Sequence, residues 1–370
     1  MQSLKACVFV AIVSAGVAAC GGKEGATPDK SSSAKSGGKG SAAPSSSGSA
    51  APAKSAVASP PVFSGAKVAV ELPKYKPGTA KPSDLGGAKL TVTLCKFDAK
   101  TPMPIADSFS DAVGGMAFAP DDSLWLIDGD GKVRHYVNQD PAGCELALDT
   151  KVGEGGIFTV PDSKADERIG VDKSGVVYFN TGMGPKRIVG GKIESIDCSS
   201  SGRIAAGRES DVVFVGNYPL KDGKCGEKLE LKEWKNDPFT EIMFVEKDGL
   251  DVKGTFEDGG SRVGQGAFHD FSGERKIAVG KKDGDEDIFY THDVFGCALG
   301  LCVVDGNASS LRVWKKDGAF VGKVNLDDLT GVDVFPTQGE YAAGAMWIGG
   351  AGHDDKDKYP AFIAKITTGG

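Results

Sequence analysis

The chain has 370 residues, with 43 basic against 50 acidic side chains, eight cysteines and four histidines. The charge is uneven, since 37 basic and 48 acidic residues follow position 62, a net charge of −11 over that part. A surface this acidic repels nucleic acid and gains nothing from anionic lipid heads, so nucleic-acid binding is excluded and charge supplies no hold on a membrane.

Lys5 gives a short basic start, Ala6 to Gly16 form an apolar run without a charge, and Val17-Ala18-Ala19-Cys20 closes it ahead of Gly21-Gly22. That order is a secretory signal, and the run is too short for a spanning helix. The small-small-Cys ending resembles the lipobox of bacterial lipoproteins. The resemblance implies that 1–19 is a cleaved signal peptide and that lipid is attached to the sulfur and new amino group of Cys20. The bilayer would then be a partner through this lipidated terminus, since several buried acyl chains hold firmly. Gly22 stands where some bacteria use Asp to retain such proteins internally, which favours the outer over the inner membrane.

Residues 21 to 62 contain eleven Ser, nine Ala, seven Gly and five Pro. So few apolar side chains cannot offset the entropy of ordering, and 20–62 reads as the lipidated Cys followed by a disordered tether. As a Gly/Ser coil it would span roughly 35–40 Å.

Residues 63–370 read as one all-β domain. A local phrase recurs along it: an apolar strand, a polar turn with Asp or Gly, and another apolar strand. It runs from Gly115 through Pro120-Asp121-Asp122 to Ile127, from Ile169 through Asp172-Lys173-Ser174-Gly175 to Phe179, and from Ile193 to Ala206, with weaker copies from Thr240 and Gly331. Alternating apolar positions broken by Gly and Asp turns indicate antiparallel hairpins. Asp128-Gly-Asp-Gly131 reads as another such turn, between Leu124–Ile127 and Val133–Val137. The fullest unit runs from Asp293 to Leu326. Its expected strands are Asp293–Cys297, Leu301–Val304, Ser310–Trp314 and Ala319–Val324, with Lys315-Lys-Asp-Gly318 as a turn.

Four antiparallel strands make one propeller blade, and this order resembles the blades of NHL-type β-propellers. The resemblance covers most of 105–366 at the level of pattern and implies a single ring of six or seven four-stranded blades. Starts near 114, 169, 194, 241, 293 and 331 give six, although the 25 residues between 169 and 194 fall short of the usual 40–50. Ala361–Ile366 ends the last unit with three strands. Lys89–Leu94 is expected to add the fourth and protect an open edge. Helix signals are confined to short patches such as Asp327-Asp-Leu329.

Cys7 leaves with the signal, so Cys95, Cys144, Cys198, Cys225, Cys297 and Cys302 remain. An even number of thiols in an exported domain reads as disulfides, and six allow fifteen pairings. Pairing in sequence order, Cys95–Cys144, Cys198–Cys225 and Cys297–Cys302, keeps each bridge within one local unit. A redox-active pair at Cys297 and Cys302 lacks the Cys-x-x-Cys spacing.

The chain contains no Gly-x-Ser-x-Gly elbow, His-Glu-x-x-His, Cys-x-x-Cys-His or Gly-x4-Gly-Lys-Ser/Thr. Two weaker constellations remain. Three histidines precede Asp, at His269-Asp270, His292-Asp293 and His353-Asp354. Side chains such as His269, His292 and Asp293, converging at the axis, could bind a divalent metal. The alternative is Asp capping turns beside solvated histidines. Asp283, Asp285 and Asp287 alternate in a way that suits calcium, but Ile288 replaces the glycine of an EF-hand loop and Val294 its bidentate Glu. A solvated acidic loop is the plainer reading. Trp125, Trp314 and Trp347 are expected to be buried in strands, and Trp234 to pack under its own loop or lie exposed.

The expected function is that of a lipid-anchored, monomeric envelope propeller binding a protein or glycan partner through the loops at one end of the ring, with no cofactor or catalytic residue. Two alternatives stand beside it: a metal-dependent hydrolase, lactonase or lyase with its site at the central channel, and a purely structural envelope protein.

Overall fold

The computed structural model describes residues 80–85, 88–97, 105–106, 112–160, 165–199, 202–232, 240–258, 261–279, 291–306, 308–315, 317–330, 333–353 and 358–369. The chain starts with β1 (Ala80–Leu85), β2 (Ala88–Leu94), β3 (Lys96–Phe97) and β4 (Ile105–Ala106). A first blade follows, formed by β5 (Gly115–Phe118), β6 (Leu124–Ile127), β7 (Lys132–Asn138) and β8 (Glu145–Leu148), with β9 (Ile157–Thr159) also on β7. The second comprises β10 (Ala165–Val171), β11 (Val177–Thr181), β12 (Lys186–Val189) and β13 (Lys192–Ser195). The third comprises β14 (Ile204–Ala205), β15 (Val213–Val215), β16 (Tyr218–Lys221) and β17 (Lys224–Cys225). The fourth has β18 (Glu241–Val245), β19 (Gly249–Asp258), β20 (Ser261–Asp270) and β21 (Arg275–Val279). The fifth has β22 (Thr291–Cys297), β23 (Gly300–Asp305), β24 (Ser310–Trp314) and β25 (Phe320–Asn325), then the short helix α1 (Leu326–Thr330). The last has β26 (Val334–Ala342), β27 (Ala345–Gly352) and β28 (Tyr359–Gly369).

Within each blade, neighbouring strands pair antiparallel in sequence order. The first strands of successive blades pack side by side, and β26 packs against β5, so the six sheets close into a ring. The fold is an all-β, six-bladed propeller. Its core is divided into six apolar clusters, one at each seam between blades. Trp125, Trp314 and Trp347 belong to these clusters and are buried, as expected from their strand-like surroundings. Trp234 lies outside the described residues.

The ring is closed by the strand expected to close it. β2 supplies the fourth strand of the last blade, with Lys89 opposite Gly369 and Leu94 opposite Ala364, and β1 adds a fifth. The chain then crosses to the first blade, where β3 runs parallel to β8. Cys95 sits at the crossing and is bonded to Cys144, with Cα atoms 4.6 Å apart. Its N–H donates to Ile363 O, while Lys96 N–H donates to Cys144 O. This crossing therefore ties the last blade to the first covalently as well as through the sheet.

One unit differs from the sequence pattern. Ile193–Ala206 is not a single hairpin, because Lys192–Ser195 is the outermost strand of the second blade while Ile204–Ala205 is the innermost of the third. Moving that start to 204 places first strands 37 to 50 residues apart and removes the short interval. Both pieces carry apolar residues around a polar turn, so the local pattern does not distinguish a hairpin from a passage between blades.

Candidate functional site

The first strands end at one mouth of the ring, where their turns into the second strands gather. A cavity of about 700 Å³ opens there, lined by the ends of the third to sixth blades, including Arg208, Phe244, Glu246, Gly296 and Tyr341. That volume suits a small ligand or a short chain segment. The turns gather by direct contact: Arg208 Nη2 reaches Asp122 Oδ1 of the first blade at 2.6 Å and Pro120 O at 3.2 Å, while Lys173 N–H of the second donates to Ser210 O of the third. Tyr341 is 36% exposed, unusual for a large side chain in this fold, and stands beside a tight turn. That turn passes through Ala343 and Gly344 at φ of 50° and 71°, the left-handed pair that a two-residue hairpin demands.

Beneath the mouth, the axis is filled by charge. Four first strands carry a β-bulge, at Asp166/Ile169, Ile242/Phe244, Thr291/Asp293 and Pro336/Gln338. Bulges re-aim side chains and free backbone groups from the ladder. Arg168, at φ 113°, projects from the first of them. Its guanidinium donates to Met243 O at the second bulge and pairs with Asp293 beside the third. Burial lowers this guanidinium to about 10, so it stays charged at neutral pH.

Carboxylates also bind each blade to the next. Asp251 Oδ2 accepts Gly296 N–H at 2.8 Å, Asp293 Oδ2 accepts Gly339 N–H at 2.8 Å, and Glu340 Oε2 accepts Phe118 N–H at 2.9 Å. The fourth blade is thus tied to the fifth, the fifth to the sixth and the sixth to the first. Burial raises the Glu340 carboxyl to about 8, although the Phe118 N–H and the charges of Arg208 and Arg168 pull the other way.

The opposite mouth holds a different cluster. Glu241 opens β18 and faces Lys253 of β19 across the ladder. Lys253 Nζ lies 3.1 Å from Glu241 Oε2, and Arg203 Nε, just ahead of β14, lies 3.6 Å from the same oxygen. His292 opens β22, with Phe335 edge-on at 5.0 Å. Burial first, then the charges of Lys253 and Arg203, press its imidazole down to about 3, so it is neutral.

The histidines expected at a common metal centre do not come together. His269 is buried on β20, opposite Leu250 near the turn end of its blade, with Nδ1 3.0 Å from Gly273 O. His292 and Asp293 lie at the start of β22, at the other end of their blade, and Asp293 is engaged by Arg168 and Gly339. The alternation of strand directions within a blade is the reason, since third strands end where first strands end, not where they begin. Among the described residues no group of three or more His, Cys, Asp or Glu is placed to hold a metal ion. Asp283, Asp285, Asp287 and Cys20 lie outside the described residues. The Asp128 turn joins β6 to β7, with its carboxylate accepting from Lys132 N–H at 2.9 Å and Arg134 Nε at 3.1 Å. The other cysteines bond as Cys198–Cys225 and Cys297–Cys302, with Cα atoms 5.0 and 6.0 Å apart, and Cys297 borders the cavity.

No family model matches the chain, and no curated protein matches it in sequence. Among solved structures it is similar to the WD40 β-propeller domain of Doa1, at 12% identity and a TM-score of 0.35 over 70% of this chain and 95% of that one. The WD40 repeats of RRP9 align at 10% identity and a TM-score of 0.40 over 75% and 97%. The propeller domain of Cps50 (Swd1) from Myceliophteria thermophila aligns at 10% and 0.40 over 78% and 100%. Likenesses this distant assign no activity; the ring is established by the strand pairing described above.

Proposed function

We propose that this chain is a lipid-anchored module of the bacterial cell envelope that binds a protein or glycan partner in the turn-end mouth of its propeller. The observation that carries the binding reading is the 700 Å³ cavity, which is walled by four blades and has an exposed aromatic ring at its rim. Concave sites with a few polar groups on a rigid scaffold are where ligands bind, and Tyr supplies contact area at small entropic cost. The lipid anchor is supported by the Val17–Cys20 ending and by an acidic domain that cannot adhere to anionic lipid through charge. A metal-dependent hydrolase loses support, because His269 lies at the other end of the ring from His292 and Asp293.

The two halves of this proposal are tested separately. Replacing Cys20 by Ser should move the full chain from the membrane fraction to the soluble fraction; retention in the membrane would refute the anchor. For the binding role, Gly296 is placed where a Cβ would collide with the Glu246 carboxylate. Gly296→Ala should therefore reshape the cavity and reduce recovery of a crosslinked envelope partner from intact cells by about tenfold or more, and undiminished recovery would refute this mouth as the binding site.

A further inference from the structure

The cluster at the opposite mouth contains more positive charge than its carboxylate can balance. Lys253 and Arg203 come from two blades and share Glu241, so these three groups, with His292 neutral, carry a charge of +1 inside a domain of −11. The cations are 17% and 19% exposed, and Glu241 is the most open of the three at 36%. Two like charges largely withdrawn from water repel each other strongly, and a second anion relieves that repulsion. Lys253 is also equipped to receive one. An ammonium has three donors, one of which meets Glu241, and it is held on a β-ladder whose register places it directly beside that carboxylate. The location favours an incoming group as well, because the first strands of the third, fourth and fifth blades all begin here.

We infer that Lys253, with Arg203 beside it, forms an oxyanion-binding site at the mouth where the first strands begin, taking the carboxylate or phosphoryl group of a small ligand alongside Glu241. The site is distinct from the turn-end cavity and does not depend on the partner-binding reading. The two basic side chains have separate parts, with Lys253 acting as a point charge with rotatable donors and Arg203 as the planar fork that orients an oxyanion.

The test is calorimetric titration of the purified full chain with inorganic phosphate and, separately, with acetate. The wild type should bind one anion per chain, Lys253→Met should weaken binding by at least about tenfold, and Glu241→Gln should tighten it several-fold by removing the competing carboxylate. Tighter binding of phosphate assigns a phosphoryl ligand and tighter binding of acetate a carboxylate; either supports the site. Absence of binding to both wild type and Glu241→Gln overturns it, as does equal affinity in wild type and a folded Lys253→Met. Should Lys253→Met fail to fold by circular dichroism, Glu241→Gln decides alone, and unchanged or weaker affinity in that variant overturns the proposal.

Discussion

The two mouths of this ring are built from the same six strands and differ in what terminates them. At the turn end, tight hairpins leave a broad cavity whose walls are turn residues, among them Tyr341 and the left-handed Ala343 and Gly344. At the other end, the strands begin with charged side chains, and Arg203, Glu241 and Lys253 fill the space between blades. Between the mouths, Arg168 and the inter-blade carboxylates close the axis. The difference shows how one scaffold can present two unlike surfaces. Hairpin turns tolerate exchange without disturbing the ladder, whereas charges on the strands themselves are fixed by register.

The largest effect should come from removing the barrier between the ends. Arg168→Met leaves Asp293 and Glu340 buried without their cation and should cost about 3–5 kcal/mol in urea denaturation. A loss below about 1 kcal/mol would show that the axial charges are not coupled. Second, the closing disulfide should matter more than the one at the cavity rim. Cys95–Cys144 spans 49 residues and Cys297–Cys302 spans five, so loop entropy predicts losses of about 4 and about 2 kcal/mol for the paired Cys→Ser variants. The reverse order would place the weak point of the ring elsewhere.

Third, the raised Glu340 carboxyl gives stability a definite pH dependence. The folded state holds this proton up to about pH 8, whereas the unfolded chain releases it near the ordinary value of 4.5. Its contribution is present in full below the unfolded value and is lost as pH rises through 8. Melting scans should show wild-type stability falling relative to Glu340→Gln over that window, and parallel profiles would contradict the assignment. The smallest effect belongs to the turn end, where Ala343→Gly should stabilise the fold by up to about 1 kcal/mol by removing a left-handed Cβ. Destabilisation would mean that the turn needs that methyl group.

Local features of the fold were legible in sequence because they obey short-range rules. The blade from Asp293 to Leu326 folds as its strand and turn pattern indicates, the Asp128–Gly131 turn joins the expected strands, and Asp327 lies in the one short helix. Lys89–Leu94 could be matched to the open edge because a three-stranded last unit lacks one partner. What escaped was contact between blades. Arg168 meets Asp293 across the axis through bulges that no period-2 pattern reveals, and Arg203, Glu241 and Lys253 meet only once the ring has closed. The positive φ at Arg168 leaves no trace in sequence. The misplaced start near 194 has the same origin, since two blades contributed to what looks locally like one hairpin. Of the binding mouth, sequence indicated only that loops at one end would serve; which end, and the role of Tyr341, depended on the direction of the first strands.

The central claim is that partner binding occupies the turn end. It is tested most directly by photo-crosslinking in intact cells from a reactive residue placed at Tyr341 and, in parallel, at Met183. Met183 is 71% exposed in the turn between β11 and β12, on the side where first strands begin. The account predicts one envelope partner captured from position 341 and not from 183. Capture of that partner from 183 alone, or equally from both, would contradict it.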